Sequence, residues 1–200
     1  MSAPEPVVVH LAATGAETAA RAAALLGRRA HALEADAAAT LRELFLSGRP
    51  VVAVMAAGVV IRALAPVLAD KRAEPPVVAL ADDGSSAVPL LGGHHGANAL
   101  ARRLAEALGG HAAVTTAGDL RLGVALDEPP EGWRLESPAA AKPAAAALLA
   151  GRAATLSGDA DWLAPLRALP NVATGGPDGP ATLAVGGRPT LGGRPRALGL

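Results

Sequence analysis

Two hundred residues suit one large domain, or one and a half, with ample length to bury a core. Eighteen basic residues balance eighteen acidic ones, so no charge surplus points to nucleic acid or an anionic membrane. Cysteine is absent, which excludes disulfides, thiolate metal sites and a cysteine nucleophile. No apolar run approaches transmembrane length, because Arg, Pro and Gly interrupt the alanine-rich stretches. Met1-Ser2-Ala3-Pro4-Glu5 lacks the basic-then-apolar pattern of a signal peptide, and the expectation is a cytoplasmic protein.

In chain order, Val7 to Leu11 reads as a buried strand, and Thr14-Gly15 opens a helix running to about Arg29. Ala35 to Leu46 is a second helix, ended by Ser47-Gly48-Arg49-Pro50. Val51 to Met55 is short and wholly apolar, the pattern of a central parallel strand. The helix around Gly58 stops near Leu68, and Pro75-Pro76 precedes a strand from Val77 to Ala81. Asp82-Asp83-Gly84-Ser85 is a hairpin turn into a strand from Ala87 to Leu91. Leu100, Leu104 and Leu108 mark an amphipathic helix over Ala97 to Leu108, closed by Gly109-Gly110. Ala112 to Thr115 is the next strand. Alternating strands and helices of these lengths predict an α/β fold: a layered α/β/α domain with a mainly parallel sheet and one hairpin.

Past Asp119 the character changes. Asp127 to Trp133 reads as a loop, Ser137-Pro138 starts a helix running to about Leu149, and Gly151 to Ser157 contains a short strand. From Pro165 onward Pro and Gly are dense and no helix is predicted; Ala197 to Leu200 looks like half of a strand. The expected division is an α/β domain over residues 1–123 and a smaller α+β middle segment over 124–200, leading towards a further C-terminal domain.

Chemistry-bearing residues concentrate in two glycine turns, each between an apolar run and a helical pattern, where free backbone N–H groups face a ligand. His94 and His95, in Leu91-Gly92-Gly93-His94-His95-Gly96, are the proton-transfer candidates, since histidine titrates near neutrality. The plainer alternative makes one a helix cap and the other a solvated loop residue. Asn98 would bond a substrate carbonyl or cap its helix. Arg62, Lys71 and Arg72 form a basic group near the end of the helix that Gly58 opens, suited to carboxylates, or to compensating a helix C-terminus. Thr115, Thr116 and Asp119 are expected at a strand end, where open α/β sheets place ligands. No P-loop, Gly-x-Ser-x-Gly elbow or metal-spaced cluster occurs, so neither metal nor cofactor is expected.

The ordered set Gly58 to Lys71, Pro76-Val77-Val78, Leu91-Gly92-Gly93-His94, Gly96-Ala97-Asn98 and Thr115-Thr116 resembles the CbiG family of cobalamin-biosynthesis proteins, cobalt-precorrin-5A hydrolases. The family's Ser-Gly-His turn is Gly92-Gly93-His94 here, and its double glycine is Gly96 alone. The resemblance implies a tetrapyrrole substrate, opening of a δ-lactone and release of acetaldehyde. For that reaction, residue chemistry points to His94 or His95 as base and to Asn98 and the N–H groups of the glycine-rich turn (Gly92, Gly93 and Gly96) as oxyanion donors, and Arg62 and Lys71 fit as partners for the macrocycle's carboxylates. A histidine ligating the corrin cobalt is an alternative role. A fused or separate C-terminal CobE-like domain or precorrin methyltransferase is the implied partner. Two rivals stand beside this: a non-catalytic tetrapyrrole-binding module, and an unrelated anion-binding domain.

Overall fold

The computed structural model describes residues 4–34, 36–71, 73–127, 129, 133–158, 160–175, 183–185 and 196–199. The chain forms two units, Met1–Val114 and Thr115–Leu200.

The first unit is built on a six-stranded sheet. Its strands are β1 (Val7–His10), β2 (Ala30–Ala32), β3 (Val51–Val54), β4 (Val77–Leu80), β5 (Ser86–Leu91) and β6 (His111–Ala112), in the order β2-β1-β3-β4-β5-β6. The first four are parallel; β5 turns back antiparallel to β4, and β6 runs with β5. Its helices are α1 (Ala16–Leu25), α2 (Ala37–Leu46), α3 (Ala57–Leu64) and α4 (Ala97–Leu108). Side chains along a strand alternate between faces. Val7, Val9, Val51, Ala53, Val77 and Ala79 therefore enter a core with α2 and α3, while Val8, Val52, Val54, Val78 and Leu80 enter another with α1 and α4. Burial on both faces explains why β1, β3 and β4 are apolar throughout rather than alternating. This is the expected α/β/α layering around a mainly parallel sheet.

Three local departures have physical causes. The first helix ends at Leu25, not near Arg29, because Gly27 takes φ +66° and the Arg28 N–H reaches back to the Ala23 carbonyl. That early stop leaves Ala30–Ala32 to add β2 at the sheet edge, where its weakly apolar, partly exposed residues carry little strand signal. The last strand of the unit is His111–Ala112 alone, so Thr115 and Thr116 lie outside it. Pairing between β4 and β5 also slips by one residue, from Val77 opposite Leu91 to Val78 opposite Pro89. Pro89 lies beyond the reach of β6, which pairs only with Ser86 and Ala87. A residue without an N–H is tolerated there.

The second unit holds α5 (Ala117–Leu122), β7 (Trp133–Leu135), α6 (Pro138–Leu149), β8 (Ala154–Ser157), α7 (Ala164–Arg167), β9 (Val172–Gly175), β10 (Leu183–Val185) and β11 (Arg196–Gly199). Its sheet has the order β7-β11-β10-β8-β9. Leu122, Leu126, Leu148, Leu156, Leu163 and Leu166 form its core. Trp133 meets Trp162 edge-on, ring centroids 6.1 Å apart, and both pack on that core. The unit begins before residue 124 because Leu122 of α5 belongs to this core. The half-strand read at Ala197 to Leu200 is corrected in one respect: Arg196–Gly199 is paired within this sheet, parallel to β7 and antiparallel to β10. The short helix α7 also runs through Pro165, where the sequence predicts none. Proline fits a first helical turn, because the N–H it lacks would have no intrahelical partner there.

Candidate functional site

The reversal of β5 sends the two glycine turns to opposite edges of the first sheet. Gly58 follows β3 at the edge where the parallel strands end, and Val54 there is level with Leu80. Gly92 follows β5 at the edge where they begin, since Leu91 pairs with Val77. A four-residue strand separates these edges by about 13 Å.

At the amino edge, Gly92 takes φ +65° and Gly96 φ +101°, bracketing a single 3-10 turn over Gly93–His95. A Cβ on Gly92 would lie 2.7 Å from the backbone carbonyl carbon and oxygen of Pro75. Only glycine permits that approach, which locks the turn against the segment leading into β4. The His95 and Ala97 N–H groups both donate to the Gly92 carbonyl, at 2.8 and 3.1 Å. Asn98, only 4% exposed, lies under the turn, its side-chain oxygen 3.5 Å from where a Gly93 Cβ would be. His95 is exposed, and its Nδ1 lies 2.6 Å from the Glu74 carbonyl. A carbonyl only accepts, so Nδ1 carries the proton and neutral His95 presents a basic lone pair at Nε2. The imidazole is thus an exposed side chain of the turn, held at one nitrogen by the Glu74 carbonyl. The side chain of His94 lies outside the described residues.

At the carboxyl edge, Arg62 curls back along α3 and donates from Nη1 to the Gly58 carbonyl at 2.9 Å. Its guanidinium occupies the space a Gly58 Cβ would enter, again at 2.9 Å. Beside α3 lies a cavity of about 360 Å³ lined by Met55, Ala56, Ala57, Ala79, Leu80, Ala81, Asp82, Ser86 and Val88. The Asp82 carboxylate turns towards α1, where the Thr14 hydroxyl donates to Oδ2 at 2.6 Å and Oδ1 lies against Gly15. In the adjoining hairpin turn, the Ser85 hydroxyl and N–H hold the Asp83 carboxyl below its ordinary 3.8.

The remaining predicted residues fall elsewhere. Lys71 is exposed on the connection between α3 and β4, and Arg72 lies outside the described residues. Thr115 and Thr116 open the second unit, with Thr116 at the N-cap position of α5 rather than at a strand end. The side chain of Asp119 is likewise outside the described residues. Sequence reasoning missed the cavity and the Glu74 contact to His95. A lone Asp after an apolar strand, and a Glu-Pro-Pro run before one, were the available signals. Among the described residues no cluster of three or more His, Asp or Glu side chains is arranged to hold a metal, and no helix is long and apolar enough to cross a membrane.

Residues 39–119 match the family model for the cobalamin synthesis G N-terminal region. They span α2 to the first turn of α5 and so include both glycine turns. Residues 39–119 are thus similar to the N-terminal region of the CbiG family. The chain is 39% identical over 88 residues to the cobalt-precorrin-5A hydrolase of Priestia megaterium, covering 44% of this chain and 24% of that protein. It is 41% identical over 89 residues to the enzyme of the same name from Salmonella typhimurium strain LT2, covering 44% of this chain and 25% of that protein. The match thus spans about a quarter of each curated relative. A cobalamin biosynthesis protein G homolog from Sulfolobus solfataricus aligns with a TM-score of 0.48 and 18% identity, over 96% of this chain and 59% of that one.

Proposed function

We infer that this chain acts in cobalamin biosynthesis, in the cytoplasm, as a hydrolase that opens the δ-lactone of cobalt-precorrin-5A and releases acetaldehyde. The observation carrying this reading is the roughly 40% identity to two cobalt-precorrin-5A hydrolases over 88 and 89 residues, beside the family match over residues 39–119, which hold both glycine turns. Water adds to the lactone carbonyl and the acyl–oxygen bond breaks. The released alkoxide then collapses to acetaldehyde; the electron pair of the severed carbon–carbon bond stays with the ring, which takes up a proton. Such a reaction needs a base for the water and donors for the oxyanion.

His95 suits the first role, because its proton at Nδ1 is held by Glu74 and Nε2 is left to accept one. The N–H groups of His95 and Ala97 already serve the Gly92 carbonyl, so the oxyanion role falls to those of Gly93, His94 and Gly96. Buried Asn98 then supports the turn instead of touching substrate. Arg62 and Lys71 pair with substrate carboxylates, and Thr115, Thr116 and Asp119 are further binding residues. A C-terminal CobE-like domain or a precorrin methyltransferase, fused or separate, is the partner this reading implies.

The test is an acetaldehyde assay on the 200-residue chain supplied with cobalt-precorrin-5A. Turnover is expected, and His95→Ala should lower it by about a hundredfold or more while sparing ring binding. Unaltered turnover in that variant would remove His95 as the base. Ring binding by the wild type without acetaldehyde would instead make the chain a substrate-holding module.

A further inference from the structure

On one face of the first sheet, β5 is covered by α4, through Ala97, Ala101 and Leu104 around Ala87. On the other face α3 covers β3 and β4, and it leaves Val88 and Leu90 of β5 half-buried. The cavity of about 360 Å³ opens in the angle between that face of β5 and the first turn of α3. Its lining is mostly apolar, with Ser86 and Asp82 the polar residues, and the Thr14 hydroxyl donates to the Asp82 carboxylate. Such a space favours an apolar edge over a charged group. Its volume is at the small end for ligand pockets, which run from about 300 to 1,000 Å³, so it suits one ring of a large ligand and not the whole of it.

Next to the lining comes the opposite chemistry. Arg62, outside the lining itself, is anchored by one nitrogen at the carbonyl of Gly58, the sequence neighbour of lining residue Ala57, and its other N–H groups are left for an acceptor. Neither a capping side chain nor an acidic residue occupies the start of α3, so nothing within that turn competes with an anion for Arg62. Ile61, one helical turn beyond Ala57 on the same stripe, is 52% exposed and extends the apolar wall outward. An apolar floor, an apolar flank and an anchored cation next to the lining together complement an amphipathic anion: a flat ring bearing a carboxylate on a short side chain.

We propose that this cavity is a ring-edge subsite, taking one carboxylate-bearing pyrrole ring of the tetrapyrrole with the ring edge against Val88 and Ala57 and the carboxylate on Arg62. The assignment rests on the tetrapyrrole reading above and deepens it, since it gives the ring a second anchor at the sheet edge opposite His95.

Uroporphyrin III, a stable tetrapyrrole with a carboxylate-bearing side chain at every outer ring position, is the probe. Its binding is followed by fluorescence and by amide shifts of the 15N-labelled chain. Wild type should bind, with shifts at Ala57, Gly58, Ala81 and Ser86. Val88→Phe and Ala57→Leu, which fill the cavity from two sides, should each raise Kd about tenfold with circular dichroism unchanged. Arg62→Gln should weaken binding and flatten its salt dependence. Wild-type binding with shifts confined to residues 92–96, and full affinity in both filling variants, would overturn the subsite while leaving the tetrapyrrole reading intact. A wild-type chain that binds no uroporphyrin and releases no acetaldehyde would overturn both. If one filling variant unfolds, the other and the amide shifts still decide.

Discussion

At the residue scale, Gly92 concentrates the most constraint. It combines a left-handed backbone with a 2.7 Å approach of its would-be Cβ to Pro75, and each alone would penalise any other residue. Gly92→Ala should destabilise the first unit by about 2 kcal/mol or more, read as a lower urea midpoint at unchanged slope. A midpoint equal to wild type would mean that the turn relaxes freely. Gly96 makes the contrast, because its φ is +101° but nothing lies within 4 Å of its would-be Cβ. The importance of the glycine-histidine turn was legible from residue types alone, because glycines flanking histidines make a tight exposed loop. Its true setting was not legible. That His95 would find the Glu74 carbonyl depends on a 21-residue separation closed only by the sheet, and no local pattern encodes such a contact. Asn98 shows the same limit: an asparagine one turn into a helix reads as cap or, less commonly, as ligand, and its burial under the turn emerges only from the fold.

At the scale of elements, the long apolar and amphipathic runs were readable because period and composition agreed. β3, β4 and α4 each lie within a residue of their expected limits. Elements lacking a period were not: β2 owes its existence to an edge position beside β1 and not to its own Ala-His-Ala sequence. Caps fall between these cases. Asp36 accepts the Ala39 N–H at 2.9 Å and starts α2, a helix whose Leu41 and Phe45 fill the core under β3. Replacing Asp36 with alanine removes that acceptor, and the expected cost is about 1 kcal/mol. A thermal melt showing a drop of a few degrees would match it; an unchanged midpoint would show that water replaces the cap without loss.

At the scale of the whole molecule, the first unit contains both of its cores and both glycine turns. Residues 1–114 expressed alone are therefore expected to fold, with the amide spectrum of that span superimposing on its spectrum in the full chain; collapse of the shortened chain would show that the second unit is needed for stability. The same short chain would show whether uroporphyrin binding needs Thr115, Thr116 and Asp119. The reversal of β5 has a further consequence for spacing. One six-residue strand runs from Ser86 beside the cavity to Leu91 before the histidine turn, so β5 works as a ruler between two chemically different ends. Lengthening it by two residues would preserve which side chains face the core yet carry His95 about 7 Å farther from the cavity. Lengthening it by one would turn the rest of the strand over. If the two proposed sites grip one ligand, it is measured for length in steps that the pleat of a single strand dictates.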